Sequence, residues 1–177
     1  MYRVKDVMAD EVLAARPEET LEQAVTRMRD RACGCVPVTD GQDRVVGLLT
    51  DRDALLAALR VGKPLGEIPV AVAFSSPAVC CEASDSLERA ETLMRVNHVR
   101  RLPVIDADRR LVGILSLTDL ARNIEFSPVA GCSGLSPRQV AVVLAETSGV
   151  RKLSPPDESR ARDDGSPRPI VEPFFHG

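Results

Sequence analysis

Aromatic residues are scarce in this chain: there is no Trp, one Tyr and four Phe among 177 residues. A core therefore has to be assembled from Val, Leu, Ile, Ala and Met. No apolar run approaches the ~18–20 residues that span a bilayer. The first ten residues carry Arg3 and Lys5 but no apolar segment followed by a small-residue cleavage site, unlike a secretory signal. A soluble cytoplasmic protein without a membrane partner is the expectation. Charge of one sign is not in excess either. With 23 Lys and Arg against 26 Asp and Glu, the formal charge is −3, which offers no general attraction to nucleic-acid phosphates. The five cysteines, Cys33, Cys35, Cys80, Cys81 and Cys132, are an odd number without CxxC spacing. That argues against a disulfide framework and against zinc. The only histidines are His98 and His176. Neither has an acid–base partner at a telling spacing, and the chain contains no P-loop, metal-ligand motif or nucleophile–base pair. The sequence reads as a non-enzyme.

What the chain does have is an internal repeat. Sliding it by 66 residues aligns 20–53 with 86–119 without a gap, and 14 of those 34 positions are identical. They include Leu21/Leu87, Ala24/Ala90, Met28/Met94, Pro37/Pro103, Gly47/Gly113 and Asp53/Asp119. Upstream the match weakens, but Met8 still falls on Phe74 and Val4 on Val70. A unit of about sixty residues buries too little surface alone, so the two copies are expected to share a core.

Each copy reads β-α-β-β-α. Short extended stretches at Val12 to Ala15 and Val79 to Cys81 precede a helix capped by Thr20 or Ser86. Its apolar spacings of three and four, Leu21-Ala24-Val25-Met28 and Leu87-Ala90-Leu93-Met94, face a core. A hairpin follows, Val36 to Leu49 in the first copy and Leu102 to Leu115 in the second, with a polar turn and Pro37 or Pro103 expected near the strand start. A second helix runs from Asp53 to Leu59 or from Asp119 to about Asn123. The fold class is α+β: two such repeats in a pseudo-two-fold pair, with a mixed sheet and the helices on one side, plus a C-terminal helix and tail. The boundaries are repeat 1 at 1–66, repeat 2 at 67–124 and an extension at 125–177. Within the extension, Ser136-Pro137-Arg138-Gln139 has capping-box spacing and starts a helix of about 137–148. Its modest apolar face is Val140, Val143, Leu144 and Thr147. From Arg151 onward, five prolines and ten charged residues show no periodicity, and this stretch reads as a disordered tail. Ile170-Val171 and Phe174-Phe175 either dock on the body or a partner or stay free.

The sharpest local signal is a Gly-apolar-apolar-Thr/Ser-x-x-Asp element present twice. It is Gly47-Leu48-Leu49-Thr50-Asp51-Arg52-Asp53, and again Gly113-Ile114-Leu115-Ser116-Leu117-Thr118-Asp119. A strand here runs into a helix N-terminus. The hydroxyl and free amides there can take a phosphate oxygen, and the carboxylate can accept a ribose diol. The same pattern is also a capping box with a shorter acid. The spacing alone leaves both readings open.

Together these features resemble a tandem pair of CBS domains, the Bateman module. The elements that carry the resemblance are Val4-x-x-Val7-Met8, Thr20-Leu21-x-x-Ala24, Met28, Pro37-Val38 with Pro103-Val104-Ile105, and Arg44 to Asp53 with its copy Arg110 to Asp119. They cover residues 1–124. The resemblance implies a module that binds AMP, ADP, ATP or S-adenosylmethionine between the repeats and modulates a partner protein, with no cofactor, and with magnesium only alongside ATP. It maps the ribose-binding acid onto Asp53 and Asp119, and the phosphate-proximal hydroxyls onto Thr50 and Ser116. It puts base contacts at Asp10 to Ala14 with Cys35 to Pro37, and at Ser76 to Cys80, including Val79, with Arg101 to Pro103. Arg52 and Arg122 are candidate phosphate partners. The Asp119 site is favoured because Ser116, Arg122 and Arg101 accompany it, while Asp10 and Glu11 oppose polyphosphate unless a cation intervenes. The cysteines, whose counterparts are Val99, Ala14 and Ala15 where the copies align, read as small buried hydrophobes. The runs Arg27/Arg29/Arg31 and Arg100/Arg101/Arg109/Arg110 read as solvated faces. The second helix of copy one, Ala54 to Leu59, is apolar all round, which implies a homodimer with two-fold symmetry. The alternative is a dimerisation or scaffold module without a ligand.

Overall fold

A computed structural model describes residues 2–126 and 135–148, with backbone only for 124–126. The elements of the first repeat are α1 (Leu21–Asp30), β1 (Cys35–Thr39), β2 (Val45–Thr50) and α2 (Asp51–Val61). The second repeat contributes β3 (Cys81–Glu82), α3 (Leu87–Val96), β4 (Arg101–Ile105), β5 (Leu111–Ser116) and α4 (Leu117–Phe126), and α5 (Pro137–Thr147) follows.

The helix starts obey their capping residues. Thr20 Oγ1 accepts from the Gln23 amide at 3.3 Å while the Gln23 side chain accepts from the Thr20 amide at 3.0 Å. Ser86 Oγ accepts from the Arg89 amide at 3.2 Å, and Ser136 with Gln139 closes a reciprocal box at the head of α5. The inward stripes are those set by the spacing: Leu21, Ala24 and Met28 in α1, and Leu87, Ala90 and Met94 in α3. Both helices then turn through left-handed residues at equivalent positions, Ala32 (φ 49°) and His98 (φ 53°).

Each repeat has its own small sheet; the strands do not join into one. β1 pairs antiparallel with β2, and Ala15 adds a single parallel bridge to Val38. The extended stretch expected at Val12 to Ala15 is thus reduced to one bridge. In the second repeat, β3 runs parallel to β4, which pairs antiparallel with β5. Pro37 and Pro103 sit in the middle of β1 and β4 rather than at their starts. Pro37 can do so because its neighbours on that edge make only the bridge to Ala15, through the Pro37 carbonyl and the Thr39 amide.

The repeats are interlocked by exchanged leading segments. Val4 is fully buried in the core of repeat 2, with Leu87, Leu102, Leu115 and Leu120. Val70, at the start of repeat 2, is fully buried in the core of repeat 1, with Leu21, Val38 and Leu49. The chain reaches these positions by crossing the opposite sheet. Ala9 pairs antiparallel with Ile114 of β5, and Ser75 with Leu48 of β2. The two motif glycines make the crossings possible. A Cβ on Gly47 would lie 2.1 Å from the Phe74 ring, and one on Gly113 would lie 2.5 Å from Met8 Sδ. The hairpin turns also meet, with Val45 N donating to Arg109 O (3.1 Å) and Leu111 N to Asp43 O (3.0 Å).

α5 is not a loose appendage. It packs on α3 and α4, with Val143 fully buried and Leu135 nearly so, both within the core of repeat 2. The expected tail from Arg151 onward, with its two phenylalanines, lies outside the described residues, as does Cys132. Among the described residues no helix is long and apolar enough to cross a membrane.

Candidate functional site

Both motif hydroxyl–carboxylate pairs form the capping geometry. Ser116 Oγ donates to Asp119 Oδ2 at 2.6 Å, the Ser116 amide donates to the same oxygen at 2.8 Å, and the Asp119 amide donates back to Ser116 Oγ at 3.2 Å. The Thr50–Asp53 pair repeats this at 2.6, 3.0 and 3.2 Å. In each pair only Oδ2 is used, so Oδ1 of each aspartate has no hydrogen-bond partner among the described residues. The two readings of the spacing are therefore compatible: one carboxylate oxygen holds the helix start and the other is available to a ligand.

The two motifs differ in what lies before them. Ser116 and Asp119 open on a cleft of about 620 Å³ between the repeats, a size that suits a small-molecule ligand. Repeat 2 contributes Arg100, Arg101, Ile114, Ser116, Leu117, Thr118, Asp119 and Ala121 to its walls. Repeat 1 contributes Val12, Leu13, Val36, Cys33 and Cys35, together with Arg27 and Arg31 at the end of α1. Neither half of the chain could form this cleft alone. It is brought together by the exchange of leading segments, which lays Ala9 along Ile114 and brings Glu11 to Leu13 to the cleft.

Of the residues singled out in sequence, Asp119, Ser116, Arg101 and Cys35 line this one cleft. Asp53 and Thr50 lie at the start of α2, outside it. Arg122 and Arg52 are exposed on α4 and α2 and do not face it. Pro37 and Pro103 are buried inside their strands. Ser76 Oγ donates to the Val46 carbonyl at 3.0 Å, and Val79 packs on the core of repeat 2. Arg27, Arg31 and Arg100, read in sequence as parts of solvated faces, also border the cleft: Arg31 and Arg100 are exposed and Arg27 is half-buried.

The cations around the cleft are unequally committed. Arg27 makes a double hydrogen bond to Glu19, through Nη1 to Oε2 and Nη2 to Oε1, and Nη1 also donates to the Ala14 carbonyl at 3.1 Å. That bond holds the Glu19 carboxyl below its ordinary value and raises the Arg27 guanidinium, against a smaller opposing effect of burial. Arg31 lies 3.5 Å from Glu11, so the acid expected to repel polyphosphate has a local counter-charge. Arg100 and Arg101 make no ion pair with a carboxylate among the described residues. Burial pushes the Cys35 thiol up to about 11, partly offset by Arg101, so it is a neutral part of the wall. Cys33 is exposed, which corrects its reading as a buried hydrophobe, whereas Cys35 and Cys81 are buried as expected. Among the described residues, no group of three or more His, Cys, Asp or Glu converges on a metal position.

Comparison with known proteins gives a consistent result. The CBS domain model matches twice, at residues 4–60 and 66–125. The CBS domain-containing protein YhcV of Bacillus subtilis is 37% identical over 131 residues, covering 74% of this chain and 91% of that protein. The crystal structure of hypoxic response protein I, with two coordinated zinc ions, superposes with a TM-score of 0.63 at 31% identity, over 68% of this chain and 98% of that one. A CBSX2 structure in complex with AMP gives 0.61 at 26% identity, over 71% and 97%. α5 lies beyond both family matches. With both repeats matched, their order preserved and each seen in the fold, this chain belongs to the CBS-domain family as a tandem pair.

Proposed function

We propose that the chain is a non-enzymatic regulatory module that binds an adenine nucleotide of the AMP, ADP or ATP class in the cleft at Asp119 and modulates a partner protein. The observation that carries this is the cleft itself, in which both repeats surround a ligand-sized space lined by the one motif, Ser116 to Asp119, at the start of α4. The phosphate lies at the N-terminus of α4, near Ser116 and Thr118, where the helix dipole favours an anion. Arg100 and Arg101 supply the counter-charge. Asp119 Oδ1 accepts from the ribose hydroxyls, and Val12, Leu13 and Val36 receive the base. Support from outside the chain is the AMP complex of CBSX2. Magnesium enters only with ATP, to screen Glu11. Because the ligand touches both repeats, it favours the arrangement in which they close around it, to the extent of its differential affinity.

The protein acts in the cytoplasm as a homodimer with two-fold symmetry, joined through the outward side of α2, where Leu55, Leu56 and Leu59 are exposed. That same surface favours the second reading, a dimerisation or scaffold module without a ligand. Calorimetry with AMP, ADP, ATP and S-adenosylmethionine separates the two. Saturable heat with an adenine nucleotide supports the sensor. Neither heat nor thermal shift with any of the four at millimolar concentration leaves the scaffold.

A further inference from the structure

The cleft has a third wall that belongs to neither repeat. Val140 and Leu144 of α5 line it beside Leu117 and Ala121. Being four residues apart, they lie one above the other on the helix. Val143, one position away, is directed into the core of repeat 2 and is fully buried. Gln139 and Val142 continue around the helix to the opposite side, where they border a small groove with Glu91 and Arg95. α5 is therefore seated by its middle face and turns one flank to the cleft. On that flank Leu144 is 51% exposed, a large apolar side chain held at the edge of a cavity.

We propose that α5 completes the ligand site: Val140 and Leu144 form an apolar surface on which the bound nucleotide packs, so that ligand binding and α5 docking stabilise each other. This rests on the nucleotide reading above and extends it to residues outside both CBS domains. A nucleotide that covers Leu144 removes apolar surface from water only while α5 is docked. By linkage, it must then hold α5 in place to the same degree that α5 strengthens its binding. Leu144 and Val140 are positioning residues in this scheme, in contact with the ligand's apolar portion and not with its phosphate.

The test uses the full-length protein and AMP. Leu144→Gln keeps length, neutrality and helix propensity but presents an amide to the ligand. It is expected to weaken AMP binding by about tenfold, the scale of one apolar side chain's partial burial, with little change in the melting temperature of the free protein. Val142→Gln, on the opposite flank, is expected to bind as the wild type does. In the wild type, saturating AMP is expected to slow amide hydrogen exchange across residues 137–147, a readout that a merely structural helix would not give. Equal affinity of Leu144→Gln and wild type, equal losses in both glutamine variants, or exchange in α5 indifferent to AMP would each overturn the inference while leaving the nucleotide reading intact. Absence of AMP binding by the wild type would overturn both.

Discussion

On the first repeat, the outward side of α2 leaves Leu55, Leu56 and Leu59 61%, 51% and 73% exposed, whereas on the second repeat α5 lies over α3 and α4 and seals Val143 beneath it. The aligned residues explain the contrast. The counterparts of Leu55 and Leu56 are Ala121 and Arg122, which suit an open helix flank. The counterparts of Asp51 and Ala54 are Leu117 and Leu120, which are buried where repeat 2 needs bulk. On α3, Glu91 replaces the apolar Val25 and is buried with Arg95 3.3 Å away. Duplication fixed the backbone plan twice; divergence then decided what covers each helical face. Repeat 1 keeps an apolar surface suited to a second copy, and repeat 2 covers its face with the chain's own α5.

The interlocked cores bear on the largest expected effect. Leu49→Ala and Leu115→Ala remove equivalent fully buried side chains, and each is expected to cost about 2–5 kcal/mol. Because Val4 and Val70 are exchanged between the cores, both variants should lower a single shared unfolding transition. Two separate calorimetric transitions would show that the exchange does not couple the repeats. Next comes the uncovered face. Leu59→Glu is expected to abolish the proposed homodimer, giving a sedimenting mass near 19.1 kDa, while Arg122→Glu on the second repeat is expected to leave it intact. Equal dissociation by both would return the interface to both repeats.

Two smaller contrasts follow. Thr50→Ala and Ser116→Ala each remove a helix cap and are expected to cost about 1 kcal/mol, measured by urea unfolding. Only the serine variant should also weaken AMP binding. The Arg27–Glu19 pair has no equivalent in repeat 2, where Leu93 and Asp85 stand at those positions. Its Arg27 bond holds the Glu19 carboxyl below its ordinary 4.5. The folded state therefore favours the ionised form, and the resulting stability is present above that value and lost as pH falls through the lowered one. Glu19→Gln should melt below the wild type at pH 7, and the gap should close in acid. A gap independent of pH would exclude the ion pair as its cause.

Much of this architecture is legible in sequence because it is local. The caps at Thr20, Ser86 and Ser136, the 3-4 stripes and the hairpins each need only a few neighbouring residues. The offset of 66 also reveals that Val4 and Val70 are equivalent. It cannot say that each packs in the other's repeat, since two apolar residues fit either core equally well. The Asp119 motif is visible for the same local reason, but the cleft before it is not. Its walls come from α1, β1, β4 and α5, which approach one another only through the exchange. Arg27 looks solvated when read along α1 alone, and the periodicity of α5 shows an apolar face without saying which part of that face borders the cleft.

Under the proposed function the two copies of the motif have parted, with the one at Asp119 holding the nucleotide. Calorimetric titration of AMP into Asp119→Ala and Asp53→Ala, side by side with wild type, tests it most directly. The expected result is at least a tenfold loss of affinity in Asp119→Ala, on the scale of a lost hydrogen bond to a charged group, and near wild-type binding in Asp53→Ala. Unchanged affinity in Asp119→Ala together with loss of binding in Asp53→Ala would contradict it.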